Sequence, residues 1–156
     1  MLVRQVMTPG AETIGPEETL LEAARRMRRL DIGSLVVRDA AGRLAGMITD
    51  RDIVTRAAAE GLDLAQTTVA FASSAAVITC REDDRLEDAA RTMQEHAVRR
   101  LVVLGDGDGL AGFLSVGDLA LVDRPLAAGV VEHARDPSRP STWLARATRP
   151  PWATPP

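Results

Sequence analysis

Lysine and tyrosine are absent from this 156-residue chain, cysteine occurs once, and histidine, tryptophan and phenylalanine occur twice each. The lone Cys80 excludes an internal disulfide and any cysteine-rich metal site. His96 and His133 are far apart in sequence and neither sits in a ligand motif, so no metal ligands are assigned within the chain. With aromatics at 3%, the core must be built from Leu, Val, Ala, Ile and Met. No apolar run approaches the roughly 20 residues of a membrane-spanning helix. The opening Met1-Leu2-Val3-Arg4-Gln5 has no secretory h-region, so a cytoplasmic protein is expected. Since there is no lysine, all 19 basic residues are arginine, which reflects genome composition more than chemistry. They are outnumbered by 22 acidic residues, for a net charge of −3. Residues 135–156 hold a local +3, which leaves about −6 on the rest and argues against a broad nucleic-acid surface.

The chain does contain a duplication. Shifted by 66 residues, it aligns with itself from Thr13 to Ile53 without a gap. Thr13 meets Thr79, Leu20 meets Leu86, Ala23-Ala24-Arg25 meets Ala89-Ala90-Arg91, and Met27 meets Met93. Leu35-Val36-Val37 then meets Leu101-Val102-Val103, and Asp52 meets Asp118. Each copy reads β-α-β-β-α: an extended piece (Glu12–Ile14, Val77–Cys80), an amphipathic helix, two apolar strands and a second helix from near Asp50 or Val116. Thr19-x-x-Glu22 and Asp84-x-x-Glu87 have the pattern of capping boxes for the first helices. One copy is too small to bury both faces of its sheet, so two copies are expected to pack into one α+β module. The domain reading is 1–60 for the first repeat, 61–68 for a linker, 69–124 for the second repeat and 125–156 for a proline-rich, disordered tail.

The chemistry-bearing stretch occurs in both copies. Gly46-Met47-Ile48-Thr49-Asp50-Arg51-Asp52 and Gly112-Phe113-Leu114-Ser115-Val116-Gly117-Asp118 both run glycine, two apolar residues, a hydroxyl, two variable positions and aspartate. A strand ending in a hydroxyl, with a carboxylate one turn into the next helix, can bind a sugar: the aspartate accepts from ribose hydroxyls. The helix N-terminus supplies N–H groups for a phosphate. The same residues also read as N-terminal caps, and that alternative stays open at this stage.

Together with Val6-Met7-Thr8, the Ala-Ala-x-x-Met helices and the Leu-Val-Val strands, the pair of motifs resembles a tandem cystathionine-β-synthase (CBS) domain pair, or Bateman module. The resemblance covers residues 1 to about 122. Met47–Val54, Gly61-Leu62-Asp63 and His96–Arg100 are similar to stand-alone actinobacterial members of the mycobacterial hypoxic-response type. The resemblance implies two repeats related by pseudo-twofold symmetry, with ligand clefts between them that take AMP, ADP, ATP or S-adenosylmethionine. It also implies a homodimer through the second helices and, with no effector domain in the chain, an output to a protein partner in trans. No cofactor is required. By position, Asp52 and Asp118 would bind ribose, and Thr49, Ser115, Thr13 and Thr79 ribose or phosphate. Ile32-Gly33 and Val98-Arg99 would line the base, and Arg51 and Arg99 would serve as phosphate partners. Two departures stand out: valine at 36 and 102 where the family often has proline, and Val116-Gly117 in place of Asp50-Arg51, so the second copy lacks that cation.

The rival classes are weaker. Catalysis needs a nucleophile with a base or tuned paired carboxylates, and Cys80 falls on a strand as a structural thiol. Arg25-Arg26 and Arg28-Arg29 alternate with core positions and form a solvated face, with no nucleic-acid motif beside them. The expected function is a non-enzymatic sensor of an adenine nucleotide or related adenosyl metabolite. The alternative is a structural dimerisation or partner-binding module without a nucleotide ligand.

Overall fold

The computed structural model describes residues 1–134. In chain order the elements are β1 (Thr8–Pro9), β2 (Thr13–Ile14), α1 (Leu20–Leu30), β3 (Ser34–Arg38), β4 (Leu44–Thr49), α2 (Asp50–Arg56) and the one-turn α3 (Val69–Ala72). They continue with β5 (Thr79–Arg81), α4 (Leu86–His96), β6 (Arg100–Leu104), β7 (Leu110–Ser115), α5 (Val116–Val122) and α6 (Arg124–Ala134). The fold is α+β, and the expected β-α-β-β-α order is present in both copies.

The compact units are not the sequence repeats. Residues Ala11–Val77 form one unit, while Met1–Gly10 join residues 78–134 in the other. The leading segment therefore belongs with the second repeat, although the sequence boundaries place it at the head of the first. Antiparallel pairing of β1 with β7 makes this join, with Thr8 opposite Phe113 and Pro9 opposite Gly112. Arg4 reinforces it through an ion pair to Asp83. In the 11–77 unit Ser74 occupies the corresponding place, bridging antiparallel to Met47 through two backbone hydrogen bonds of 2.9 Å. Ser74 is Thr8 shifted by 66 residues.

This close strand approach explains the first residue of each motif. A Cβ on Gly112 would lie 2.2 Å from the Thr8 carbonyl oxygen, and one on Gly46 would lie 2.7 Å from that of Ser74. The neighbours are backbone atoms, so no rotamer change relieves the overlap. Glycine is there because a crossing segment lies against the strand.

The sheets run β2-β3-β4 and β1-β7-β6-β5. Their central strands carry the apolar runs: Leu35, Val36, Val37, Leu101, Val102 and Val103 are at most 1% exposed. Burial on both faces is what a continuous β-branched run implies. Helix α1 places Leu20, Ala23 and Met27 in the core, and α4 does so with Leu86, Ala89, Ala90 and Met93. Thr19 caps α1 by accepting from the Glu22 N–H at 3.2 Å. The corresponding expectation for Asp84 is corrected: Arg85 is the N-cap of α4, and Asp84 Oδ2 instead accepts from the Arg81 N–H at 2.7 Å. Its carboxylate closes the preceding turn and is not available to the helix. Both helices end on a left-handed residue, Asp31 (φ 53°) and Ala97 (φ 52°). Neither is glycine.

The 61–68 linker is held by backbone bonds, Leu20 N–H to Thr67 O at 2.9 Å and Leu21 N–H to Leu64 O at 3.0 Å. The reading of 125 onward as tail also needs correction. Residues 124–134 form α6, packed on α4 and α5, with Ala127 and Val130 in the core. Gly129 lets it approach closely, since a Cβ there would lie 2.9 Å from the Gln94 side-chain nitrogen. The proline-rich stretch from 135 lies outside the described residues.

Candidate ligand-binding site

In the 11–77 unit, β4 delivers Thr49 directly to the start of α2. Thr49 N–H and Oγ1–H both donate to Asp52 Oδ2, at 2.9 and 2.7 Å, and Asp52 N–H donates back to Thr49 Oγ1 at 3.1 Å. Ser115 and Asp118 reproduce this at the start of α5, with 2.7, 2.6 and 3.3 Å. Both motifs are therefore complete capping boxes, and in each the hydroxyl and carboxylate are brought into one compact polar cluster.

The second carboxylate oxygen distinguishes the two. Asp52 Oδ1 faces the Arg56 guanidinium at 3.5 Å, and both side chains are about four-fifths buried. Arg56 is itself anchored by donating to Ala72 O at 2.8 Å and Ser74 Oγ at 3.3 Å. Asp118 Oδ1 instead receives the Thr8 hydroxyl at 3.4 Å. Thr8, Arg56 and Ser74 were missing from the sequence-derived site. The offset of 66 could have found two of them, because Thr8 and Ser74 correspond just upstream of where the gap-free alignment begins.

The backbone donors also differ. The first turn of α2 is satisfied internally: Asp50 N–H by Gly33 O at 3.1 Å, Arg51 N–H by Asp50 Oδ1 at 2.7 Å, and Asp52 N–H by Thr49. The expectation that this helix start offers N–H groups to a phosphate is therefore corrected for the first motif, where Asp50 turns its own carboxylate onto the backbone. At α5, Val116 N–H is taken by Arg99 O at 3.0 Å, and Val116, which stands where Asp50 does in the first motif, has no polar side chain to cap the Gly117 amide.

The other expected residues take these places. Thr13 pairs with Val36 on β3, which pairs with Met47 on β4, and Thr79 is set likewise against Val102 and Phe113. Both threonines thus lie two strand spacings from their motif strand, about 10 Å. Ile32 and Val98 are half-buried and donate to the last turn of the preceding helix, at Met27 O and Met93 O. Gly33 and Arg99 touch the motif helices through their carbonyls. Arg51 and Arg99 are both exposed.

A separate groove of about 460 Å³ lies between α1 and α2, lined by Ala24, Met27, Arg28, Asp31, Ile32, Gly33, Asp50, Ile53 and Val54. It includes Ile32 and Gly33 but none of Thr13, Thr49, Arg51 or Asp52. Cys80 is buried on β5, and burial together with the Asp84 carboxylate pushes its thiol up to about 12. A thiol held protonated is a structural side chain, as the sequence suggested. No group of three metal-ligating side chains occurs among the described residues, and no helix among them is long and apolar enough to cross a membrane.

Comparison with known proteins places this geometry. The sequence profile described as CBS domain matches residues 3–59 and 71–123. The CBS domain-containing protein YhcV of Bacillus subtilis is 38% identical over 76% of this chain and 83% of its own. Hypoxic response protein 1 of Mycobacterium tuberculosis is 35% identical over 75% of this chain and 81% of its own. A crystal structure of hypoxic response protein I with two coordinated zinc ions superposes with a TM-score of 0.69 at 34% identity, over 78% of this chain and 98% of that one. At 24% identity the fold is shared with two further structures. The CBS domain protein PAE2072 of Pyrobaculum aerophilum, complexed with AMP, has a TM-score of 0.72 over 85% of this chain and 99% of that one. The CBS domain pair of MJ0100, in complex with 5′-methylthioadenosine and S-adenosyl-L-methionine, has a TM-score of 0.70 over 80% of this chain and 97% of that one. With the duplicated motif, both profile matches and relatives above 30% identity agreeing, the chain belongs to the CBS domain family and carries two such domains in tandem.

Proposed function

We propose that the chain is a regulatory sensor that binds an adenine nucleotide or related adenosyl metabolite at its hydroxyl–carboxylate motifs and passes the change to a protein partner in trans, as a homodimer and without catalysis. The observation that carries this is the Ser115–Asp118 cluster. Its Oδ2 accepts the Ser115 N–H and hydroxyl at 2.7 and 2.6 Å, while Oδ1 holds only the long 3.4 Å contact to the Thr8 hydroxyl and is the oxygen open to a ribose hydroxyl. AMP in PAE2072, and 5′-methylthioadenosine and S-adenosyl-L-methionine in MJ0100, support an adenosine moiety as the common ligand element. Thr79 and Val98 on the same unit, with the exposed Arg99, supply the expected base and phosphate contacts; Thr13, Ile32, Gly33 and Arg51 are their counterparts around Thr49 and Asp52. AMP, ADP, ATP and S-adenosylmethionine are the candidates.

A structural, partner-binding module is the second reading, and the completeness of both capping boxes favours it, because a cap explains Thr49, Asp52, Ser115 and Asp118 without a ligand. Calorimetric titration of the four candidates into wild type, Asp52→Ala and Asp118→Ala separates the two. A sensor gives a dissociation constant near micromolar, about −8 kcal/mol, and loses it with an aspartate. Absence of heat from all four, with the variants folded, selects the structural module.

A further inference from the structure

We propose that Arg56 determines which motif takes ligand: its guanidinium latches Asp52 and leaves Ser115–Asp118 as the high-affinity site. This rests on the adenosine reading above and adds a specificity-determining residue to it. Arg56 Nε lies 3.5 Å from Asp52 Oδ1, with side-chain exposures of 21% and 17%. The cation cannot easily swing away, because Nη1 donates to Ala72 O at 2.8 Å and Nη2 reaches Ser74 Oγ at 3.3 Å. At 3.5 Å the contact is an ion pair more than a short hydrogen bond, and it acts by charge: a ribose hydroxyl arriving at Oδ1 meets a carboxylate already neutralised by a fixed, largely buried cation. Asp50, whose carboxylate accepts from the Arg51 N–H at 2.7 Å at the start of α2, adds a second negative charge at this motif that opposes a phosphorylated ligand.

The second copy lacks this device. Position 56 shifted by 66 is Val122, which is 46% exposed. Among the described residues no ion pair involves Asp118, and its Oδ1 is met only by the neutral Thr8 hydroxyl at 3.4 Å, a length at which little is lost on replacement. The same motif thus occurs twice, once latched by a built-in cation and once open.

The test is calorimetric titration of AMP and of adenosine into wild type, Asp118→Asn, Val122→Arg and Arg56→Val. The expected result is one AMP per chain in wild type, abolished in Asp118→Asn. Val122→Arg transplants the latch and weakens binding at least tenfold, and Arg56→Val moves the stoichiometry toward two. The exposed position of Val122 keeps that variant folded even if loss of the Ala72 bond unfolds Arg56→Val. Unchanged affinity in Val122→Arg, or AMP binding that survives Asp118→Asn, overturns the proposal. Loss of AMP but not adenosine binding in Arg56→Val also overturns it, because Arg56 is then a phosphate ligand. No heat from wild type with either ligand refutes the adenosine reading itself, without reference to any variant.

Discussion

Replacing Gly112 with alanine tests whether close approach of β1 sets the fold. The added methyl would sit 2.2 Å from Thr8 O and 3.1 Å from Pro9 Cα, both backbone positions. Relief requires β1 to separate from β7, which breaks the Gly10 N–H to Ala111 O bond of 2.9 Å. Overpacking costs roughly 1–3 kcal/mol and the lost hydrogen bond about 1 kcal/mol, so about 3 kcal/mol is expected. For a chain of this size that is a fall in Tm on the order of 6–12 °C. Gly46→Ala should cost less, because its overlap with Ser74 O is at 2.7 Å. Gly117→Ala is the control: its methyl meets only Ser115 Oγ at 3.4 Å inside α5, where alanine is favoured over glycine by about 0.5–1 kcal/mol. The order of Tm values read by differential scanning calorimetry should be Gly117→Ala above wild type, then Gly46→Ala, then Gly112→Ala. Equal Tm values for Gly112→Ala and Gly117→Ala would refute the reasoning.

Three further outcomes are expected. Ala97→Gly removes a left-handed alanine at the end of α4 (φ 52°) and should stabilise by about 0.5–1 kcal/mol, read by urea denaturation. Val130→Ala should cost about 2 kcal/mol, since Val130 is fully buried on the inner face of α6; a silent substitution would return residues 124–134 to the tail. Cys80 should resist thiol reagents at pH 8 until the chain unfolds. Because burial holds its folded pKa at about 12, above the ordinary thiol value of 9.0, the unfolded chain ionises first, and its contribution to stability should be lost as pH rises from about 9 to 12.

Much of the fold was legible because duplication supplied an internal control. Leu35-Val36-Val37 and Leu101-Val102-Val103 each read as strands, and their agreement at one offset made the architecture readable from a single sequence. Two kinds of information were not local enough to read. Exchange of the leading segment depends on which edge Thr8–Pro9 finds, and only the two motif glycines hint at it. The tail boundary at 125 cut off helix α6, in which Pro125 falls in the first turn, where its missing N–H is not needed. At the site, the hydroxyl–carboxylate pairs were legible as a pattern, but the Arg56 interaction was not. An arginine four residues after an aspartate is usually a solvated pair, and only the Ala72 carbonyl and burial make this one a fixed cation.

The most direct measurement is amide chemical-shift mapping of the 15N-labelled chain as AMP is added. Saturable shifts are expected, centred on Ser115, Val116, Gly117 and Asp118, with Thr8 moving in step because its hydroxyl shares the Asp118 carboxylate. No shifts at millimolar AMP, or shifts confined to the groove between α1 and α2, would contradict an adenosine site at the motif.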